Sequence, residues 1–419
     1  MKKFIVLLSL LCICPSVLAE DAVTLWDDLN FQKLTINDIE HAENDVNISQ
    51  ELFPTIAPLA TPEFLKPVDT LETQSKLHTG ISNAAKYLYN LQIDQTNTPS
   101  SLFEEQLTKH FENGPVDSLH VWGVVQSTFS TDIPEDGGGR SKFNTGLTNV
   151  LFDAKMKGGQ DMFRLMFDVS HQHNRGFMHQ FVQDAYYATK RIPHHTILIG
   201  NSRPGVGYEG AQSPYTLPFI NRSQISRNLA NVRKVGVRVK GDYSFVDYDF
   251  GGYSSDTFFT EFLPGVEFDG WVNLKPLAKT NGKYGRLTTG SGVVSGTRNS
   301  IGYLVGGAYV GYTYKNFWTR MEYAISDGSN GVSGLTDKRR QGWYVTLGYF
   351  LTKKLEVLAR YDEFDPDRTT KADNQREYTA GVNYYIKGQA LKFIMNYIYC
   401  QNEAKADSHR ILLGAQLAI

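Results

Sequence analysis

The chain has 419 residues, with 42 Lys and Arg against 44 Asp and Glu, 3 cysteines and 41% hydrophobic residues. After an N-terminal apolar run, no stretch is long and apolar enough to cross a bilayer as a helix, which excludes a helical membrane protein. No phosphate-loop, dinucleotide or nucleic-acid motif occurs. The 23 Tyr, 24 Phe and 37 Gly suit an exported β-protein, either a soluble one or an outer-membrane barrel whose lipid face hides in alternation.

Met1-Lys2-Lys3 precedes the apolar run Phe4 to Cys14, and Val17-Leu18-Ala19 offers the small residues that a signal peptidase reads. Residues 1–19 are expected to be a secretory signal peptide. Leu11 before Cys12 and Ile13 before Cys14 do not fit a lipoprotein signal. Cleavage leaves Cys400 as the last cysteine, so an intramolecular disulfide is excluded.

Residues 20–116 carry Pro54, Pro58, Pro62, Pro67, Pro99 and Pro115 and little alternation. Short helices are expected over 37–45, 69–91 and from Ser101, whose Ser101-Leu102-Phe103-Glu104 is a capping box, to Gly114. This extension is read as a periplasmic or plug-like helical and linker segment.

From Ser118 the period changes to two, and residues 117–419 are expected to form an antiparallel transmembrane β-barrel of about sixteen strands. Segments 118–130, 143–157, 162–173, 181–190 and 195–200 alternate, with turns at Asp136-Gly137 and Gly158-Gly159. Residues 201–231 then break the pattern with Pro204, Gly205, Gly207, Pro214 and Pro218. An irregular stretch of this length inside a compact domain is usually functional or disordered. It carries Arg203, Glu209, Arg222 and Arg227. Alternation resumes at 233–239, 242–253, 266–274, 287–295, 303–314 and 316–325. It ends in five regular strands, 340–351, 355–364, 377–387, 390–400 and 409–419. In the second of these, Leu355, Val357, Ala359 and Tyr361 share one face, and Glu356, Leu358, Arg360 and Asp362 share the other. Short turns such as Thr352-Lys353-Lys354 alternate with long polar loops over 326–338 and 365–376. That asymmetry marks a membrane barrel rather than a sandwich.

The strand Leu355–Asp362, the run Asn383-Tyr384-Tyr385-Ile386-Lys387-Gly388 and the strand opening Leu391-Lys392 resemble the phosphate-selective porin O and P family. Gly200 through Glu209 resembles the family's entry into its constriction loop. The resemblance covers about residues 117–419 and implies a sixteen-stranded barrel. It also implies a homotrimer that passes small anions by diffusion in the bacterial outer membrane. Family members commonly end in Phe, whereas this chain ends in Ile419.

If the charged face of each strand lines a lumen, its basic residues are Lys155, Arg164, Lys234, Arg238, Lys240, Arg320, Arg360, Lys387, Lys392 and Arg410. Its acidic ones are Asp153, Asp168, Glu322, Glu356 and Asp362, so the wall reads as cationic and favours anions. Arg203, Arg222 and Arg227 in the irregular segment add to that bias. Against it, Asp153 with Lys155, Glu322 with Arg320, and Glu356 and Asp362 with Arg360 are within reach of pairing. Trp343, Tyr349, Tyr361, Tyr378, Tyr384, Tyr397 and Phe317 fall on apolar faces, as membrane girdles require. His171, His173, His179 and the pair His194-His195 lack the cysteine or carboxylate spacing of a metal site. Ser170 beside His171 lacks the surroundings of a nucleophile. No cofactor and no enzymatic activity are expected. The reading is a passive outer-membrane anion porin in contact with lipid and small anions. The alternative is a non-conducting barrel or secreted β-protein that binds or anchors through residues 20–116.

Overall fold

The computed structural model describes residues 106–144, 146–170, 181–230, 232–256, 261–280 and 282–419. The signal peptide, the helices expected over 37–45 and 69–91, and His171, His173 and His179 lie outside these residues.

Alternating apolar and polar side chains can bury both faces of a strand only if the faces meet different surroundings. The described chain meets this by closing one antiparallel sheet on itself. Its strands are β1 (Thr108–His110), β2 (Val116–Pro134), β3 (Arg140–Asn144), β4 (Thr148–Met156), β5 (Asp161–Asp168) and β6 (Val182–Thr189). They continue with β7 (His195–Ser202), β8 (Lys234–Asp242), β9 (Val246–Ser254), β10 (Val266–Leu274), β11 (Arg286–Arg298) and β12 (Ile301–Tyr314). The last six are β13 (Phe317–Gly331), β14 (Gly334–Phe350), β15 (Leu355–Asp365), β16 (Gln375–Lys387), β17 (Leu391–Asn402) and β18 (Ser408–Ala418). Of these eighteen strands, β1 and β3 are short pieces paired along β2. The other sixteen form a closed ring, since β18 pairs with β2 from Ala418↔Val124 to Ser408↔Pro134. Closure leaves no sheet edge to expose backbone polar groups in lipid.

The faces fall as the alternation predicts. Along β15, Glu356, Leu358, Arg360, Asp362 and Phe364 are buried inside. Outward residues form the apolar band, among them Leu165, Val237, Val293, Leu347, Val382, Met395 and Leu413. Tyr349, Tyr378, Tyr384, Tyr397 and Phe317 are also exposed outward, and Trp343, Tyr361, Tyr378, Tyr399 and His409 pack ring against ring around the rim from β14 to β18.

Three local expectations are corrected. The 326–338 segment is not a loop: β13 and β14 run on as a tall hairpin that turns between Gly331 and Gly334, with a register shift at Asp327/Ser329. The strand expected over 143–157 is broken between β3 and β4, where Gly146 takes a positive φ of 60° against the backbone of Gln126. The helix expected to reach Gly114 gives way to β1, which pairs Thr108↔His120 through His110↔Ser118. Tertiary pairing overrides local propensity there. β18 ends at Ala418, Ile419 exchanges hydrogen bonds with Gly123, and the edge of β2 below that point is covered by β1.

Candidate functional site

The segment between Ser202 and Lys234 folds inward, crosses the lumen and is buried along most of its length. It contains two short helices, α1 (Tyr208–Ala211) and α2 (Gln224–Leu229), with a turn of 3-10 helix at Pro214–Thr216. Its prolines and glycines, which prevent a strand, allow these tight reversals. Gly207, at φ 70°, starts α1 where a side chain would strike Glu322.

A buried irregular segment must satisfy its backbone polar groups by other means than a ladder. Here the barrel wall supplies the partners. The Tyr208 and Glu209 amides donate to the Glu322 carboxylate at 2.8 and 3.3 Å, and Tyr344 donates to the same group at 2.9 Å. Lys392 Nζ donates to the carbonyls of Tyr215 at 2.9 Å and Leu217 at 3.2 Å. Asn383 donates to Pro218 O at 2.9 Å, and Asn396 accepts from Ile220 N at 2.9 Å. The Gln224 amide donates to Asp362 at 2.7 Å, and Gln416 donates to Tyr215 O at 3.1 Å. On β4, Asn149 donates to the Tyr215 hydroxyl. Tyr208 packs edge-on against Tyr309, 4.5 Å between ring centres, beside Trp271. The segment is thus pinned to β4, β10, β12, β13 and β15 through β18.

Charge pairing is as thorough. Arg360 is fully enclosed, with Nη1 donating to Asn221 O at 3.1 Å and Glu209 Oε1 at 3.4 Å, Asp362 at 3.8 Å and the Phe219 ring 4.7 Å away. Arg227 and Arg410 both reach Glu377, at 2.8 and 3.5 Å. Arg164 grips Asp153 at 2.6 and 2.8 Å, and Arg238 grips Asp249 while donating to Arg203 O at 2.6 Å. Lys240 sits half-buried on the inner face of β8. In Glu209, burial pushes the carboxyl pKa up, but the Arg360 charge and the hydrogen bonds from Ser223 outweigh it and hold the group below its usual range.

Three of the expected cations converge differently. Arg203 Nη1 donates to Gln212 O at 2.9 Å, Arg222 Nη2 donates to the same carbonyl, and Arg320 Nη1 donates to Gln212 Oε1 at 3.1 Å. Arg320 lies over the Tyr208 ring at 4.1 Å, and its Nε and Nη2 have no hydrogen-bond partner. Three guanidiniums therefore meet on one neutral glutamine, which sequence reasoning passed over because glutamine carries no charge signal.

The expected cationic excess of the wall is corrected. Asp184, Asp249, Glu267, Asp269 and Glu377 also face inward and are buried or half-buried. The alternation of β6, β9, β10 and β16 places them there as surely as it places the arginines. Of the pairings foreseen between near neighbours, Arg360 with Asp362 forms at 3.8 Å, whereas Asp153 takes Arg164 from the next strand and Glu356 takes Trp318, Tyr385 and Asn383.

A closed sixteen-strand barrel with an apolar, aromatic-rimmed exterior and a lumen crossed by its own loop defines a porin-class protein of the bacterial outer membrane. Residues 278–419 match the model of the phosphate-selective porin O and P family. Among solved structures, the barrel is similar to an anion-selective porin from Comamonas acidovorans, with TM-score 0.55 and 12% identity over 72% of this chain and 99% of that one. It is also similar to the outer-membrane channel DcaP of Acinetobacter baumannii, with TM-score 0.53 and 11% identity over 74% and 99%. A loop-deletion form of OmpT, an outer-membrane protein of Vibrio cholerae, gives TM-score 0.53 and 11% identity over 72% and 99%. At such identities the likeness is one of fold. No curated protein sequence matches.

Proposed function

We propose that the protein is a passive porin that admits small anions through a barrel narrowed by the segment 203–233. The observation that carries the anion preference is the meeting of Arg203, Arg222 and Arg320 on uncharged Gln212, with two donors of Arg320 unpartnered. Fixed guanidinium charge in a narrow, poorly hydrated passage raises the local concentration of anions and repels cations. The paired carboxylates elsewhere on the wall argue for moderate preference rather than tight binding of one anion. The anion-selective Comamonas porin has the same fold, which fits this reading. Passage rather than catalysis is the proposed activity. A homotrimer is the proposed assembly, supported by the similarly folded Vibrio OmpT solved in a trimer form.

Purified protein in a planar bilayer should give stepwise ohmic currents. In a salt gradient the zero-current potential should take the sign of anion flow. A reversal of cation sign would overturn the anion preference, and absence of any conductance would overturn the porin reading in favour of a non-conducting barrel.

A further inference from the structure

The inward segment does not meet the wall equally all round. Against β13 and β15 through β18 its contacts are direct hydrogen bonds, as at Glu322, Asp362, Asn383, Lys392 and Asn396. Toward β8 and β10 through β13 a cavity of about 10 Å³ remains, lined by Val206, Leu229, Val294 and Val305 and by the mutually paired Lys234 and Glu267, which is room for about one water. Toward β5 through β8 a larger cavity of about 40 Å³ lies between Tyr215 and Arg203 on the segment and Arg164, Tyr186, Leu198 and Ser202 on the wall. A polar space of that size holds a few waters.

The charges around the larger cavity are uneven. Arg164 is neutralised by Asp153 and Arg238 by Asp249. Arg233 is neutralised by Asp184 at 2.6 Å. Arg203 is different: its hydrogen bond goes to the Gln212 carbonyl, and among the described residues it forms no salt bridge. Arg222 adds further positive charge beside it, and Asp184, the carboxylate that bears on it, is already held by Arg233. Arg203 is also the one member of the Gln212 cluster that lines the cavity.

We infer that the solute route through this barrel is eccentric, running between the inward segment and the β5–β8 wall, with Arg203 as the residue that sets its charge preference. An ion crossing a low-dielectric constriction follows the side that keeps water and presents uncompensated opposite charge, because both lower its desolvation cost. On the β15–β17 side the segment is hydrogen-bonded directly to the wall, and Lys392, which has no carboxylate partner there, is fully buried and spent on the carbonyls of Tyr215 and Leu217. A hydrated anion is larger than the cavity, so passage requires the Arg203 side chain to yield while Tyr215 and the far side of the segment stay pinned. This inference rests on the porin reading and adds the location of the path to it.

Single cysteines test it in a Cys400→Ser background, with Ser202→Cys on the proposed route and Thr379→Cys on the opposite wall. Single-channel conductance is followed as the anionic reagent sulfonatoethyl methanethiosulfonate is added. Modification at position 202 should cut conductance by about half or more, with little change at position 379. In addition, Arg203→Gln should lower the anion-to-cation permeability ratio several-fold, by on the order of the loss of one uncompensated charge in a narrow pore. Heat-modifiable gel migration reports folding of each variant, and Leu198→Cys replaces Ser202→Cys if the latter does not fold. Block at position 379 equal to or greater than that at 202, or an unchanged permeability ratio in Arg203→Gln, overturns the eccentric route and leaves the porin reading intact. A folded protein with no conductance overturns both.

Discussion

Replacing Arg360 by methionine removes the group on which the inward segment is most heavily anchored. The guanidinium is wholly enclosed, as are its acidic partners Glu209 and Asp362. Methionine roughly keeps the volume over the Phe219 ring. It leaves Glu209 without its ion-pair partner and the carbonyls of Asn221 and Arg222 without a donor. Removing one side of a buried ion pair costs about 3–5 kcal/mol, mostly because the remaining charge is left unpaired in low dielectric. Each carbonyl left unsatisfied adds about 1–3 kcal/mol unless water enters. Ile225 and Leu229 pack with Tyr344 and Phe364 and hold α2 to the wall, so the response is for the stretch 219–223 over Arg360 to loosen from β15 and take up water. Two readouts follow. Urea unfolding in detergent, scored by gel migration, should lose about 3 kcal/mol or more. Single-channel conductance should rise and become noisier, because the obstruction has loosened. The double variant Arg360→Met with Glu209→Gln should recover part of the loss, since it removes the stranded charge. If Arg360→Met unfolds within about 1 kcal/mol of the parent and conducts unchanged, the segment is not held by this cluster and the reasoning fails.

Gln212→Glu places a carboxylate among Arg203, Arg222 and Arg320; it should shift the reversal potential toward cation flow, and an unchanged potential would show that the cluster does not see the permeating ion. Val382→Arg, on the outward face of β16, should destabilise the inserted barrel by about 2–4 kcal/mol if it lies near the bilayer midplane, whereas a soluble β-protein would tolerate it; urea titration in lipid decides. The carboxyl pKa of Glu209 is held below its ordinary 4.5, so its share of the anchoring is complete above that pH and lost as pH falls through the lowered folded value. Unfolding free energy between pH 5 and 3 should therefore fall less steeply in Glu209→Gln than in the parent; an identical slope would remove Glu209 from the anchoring account.

The wall of this protein was legible because a strand reports its own two faces. Side chains alternate with a period of two whatever lies across the sheet, so Leu355 to Asp362 could be sorted into lipid and lumen faces from the string alone. The same logic locates all sixteen barrel strands, and the alternation of β9 and β10 puts Asp249, Glu267 and Asp269 on the inner face as well. Pairs across one hairpin, such as Arg164 with Asp153 and Arg238 with Asp249, are separated by 11 residues and could be foreseen from register. Arg360 and Glu209 are 151 residues apart, and Tyr208 and Glu322 are 114 apart; no local period links them. The sequence by itself thus determined that the stretch from Arg203 to Asn231, with its prolines and glycines, could not be a strand and carried arginines. Only closure of the barrel decided that this segment lies inside, that most of those arginines are consumed in holding it there, and that Arg203 is left facing the water-sized gap along β5–β8. The physical reason is that alternation is a property of one chain segment, whereas the pairing of a buried charge depends on which distant wall the closed ring brings within hydrogen-bond reach.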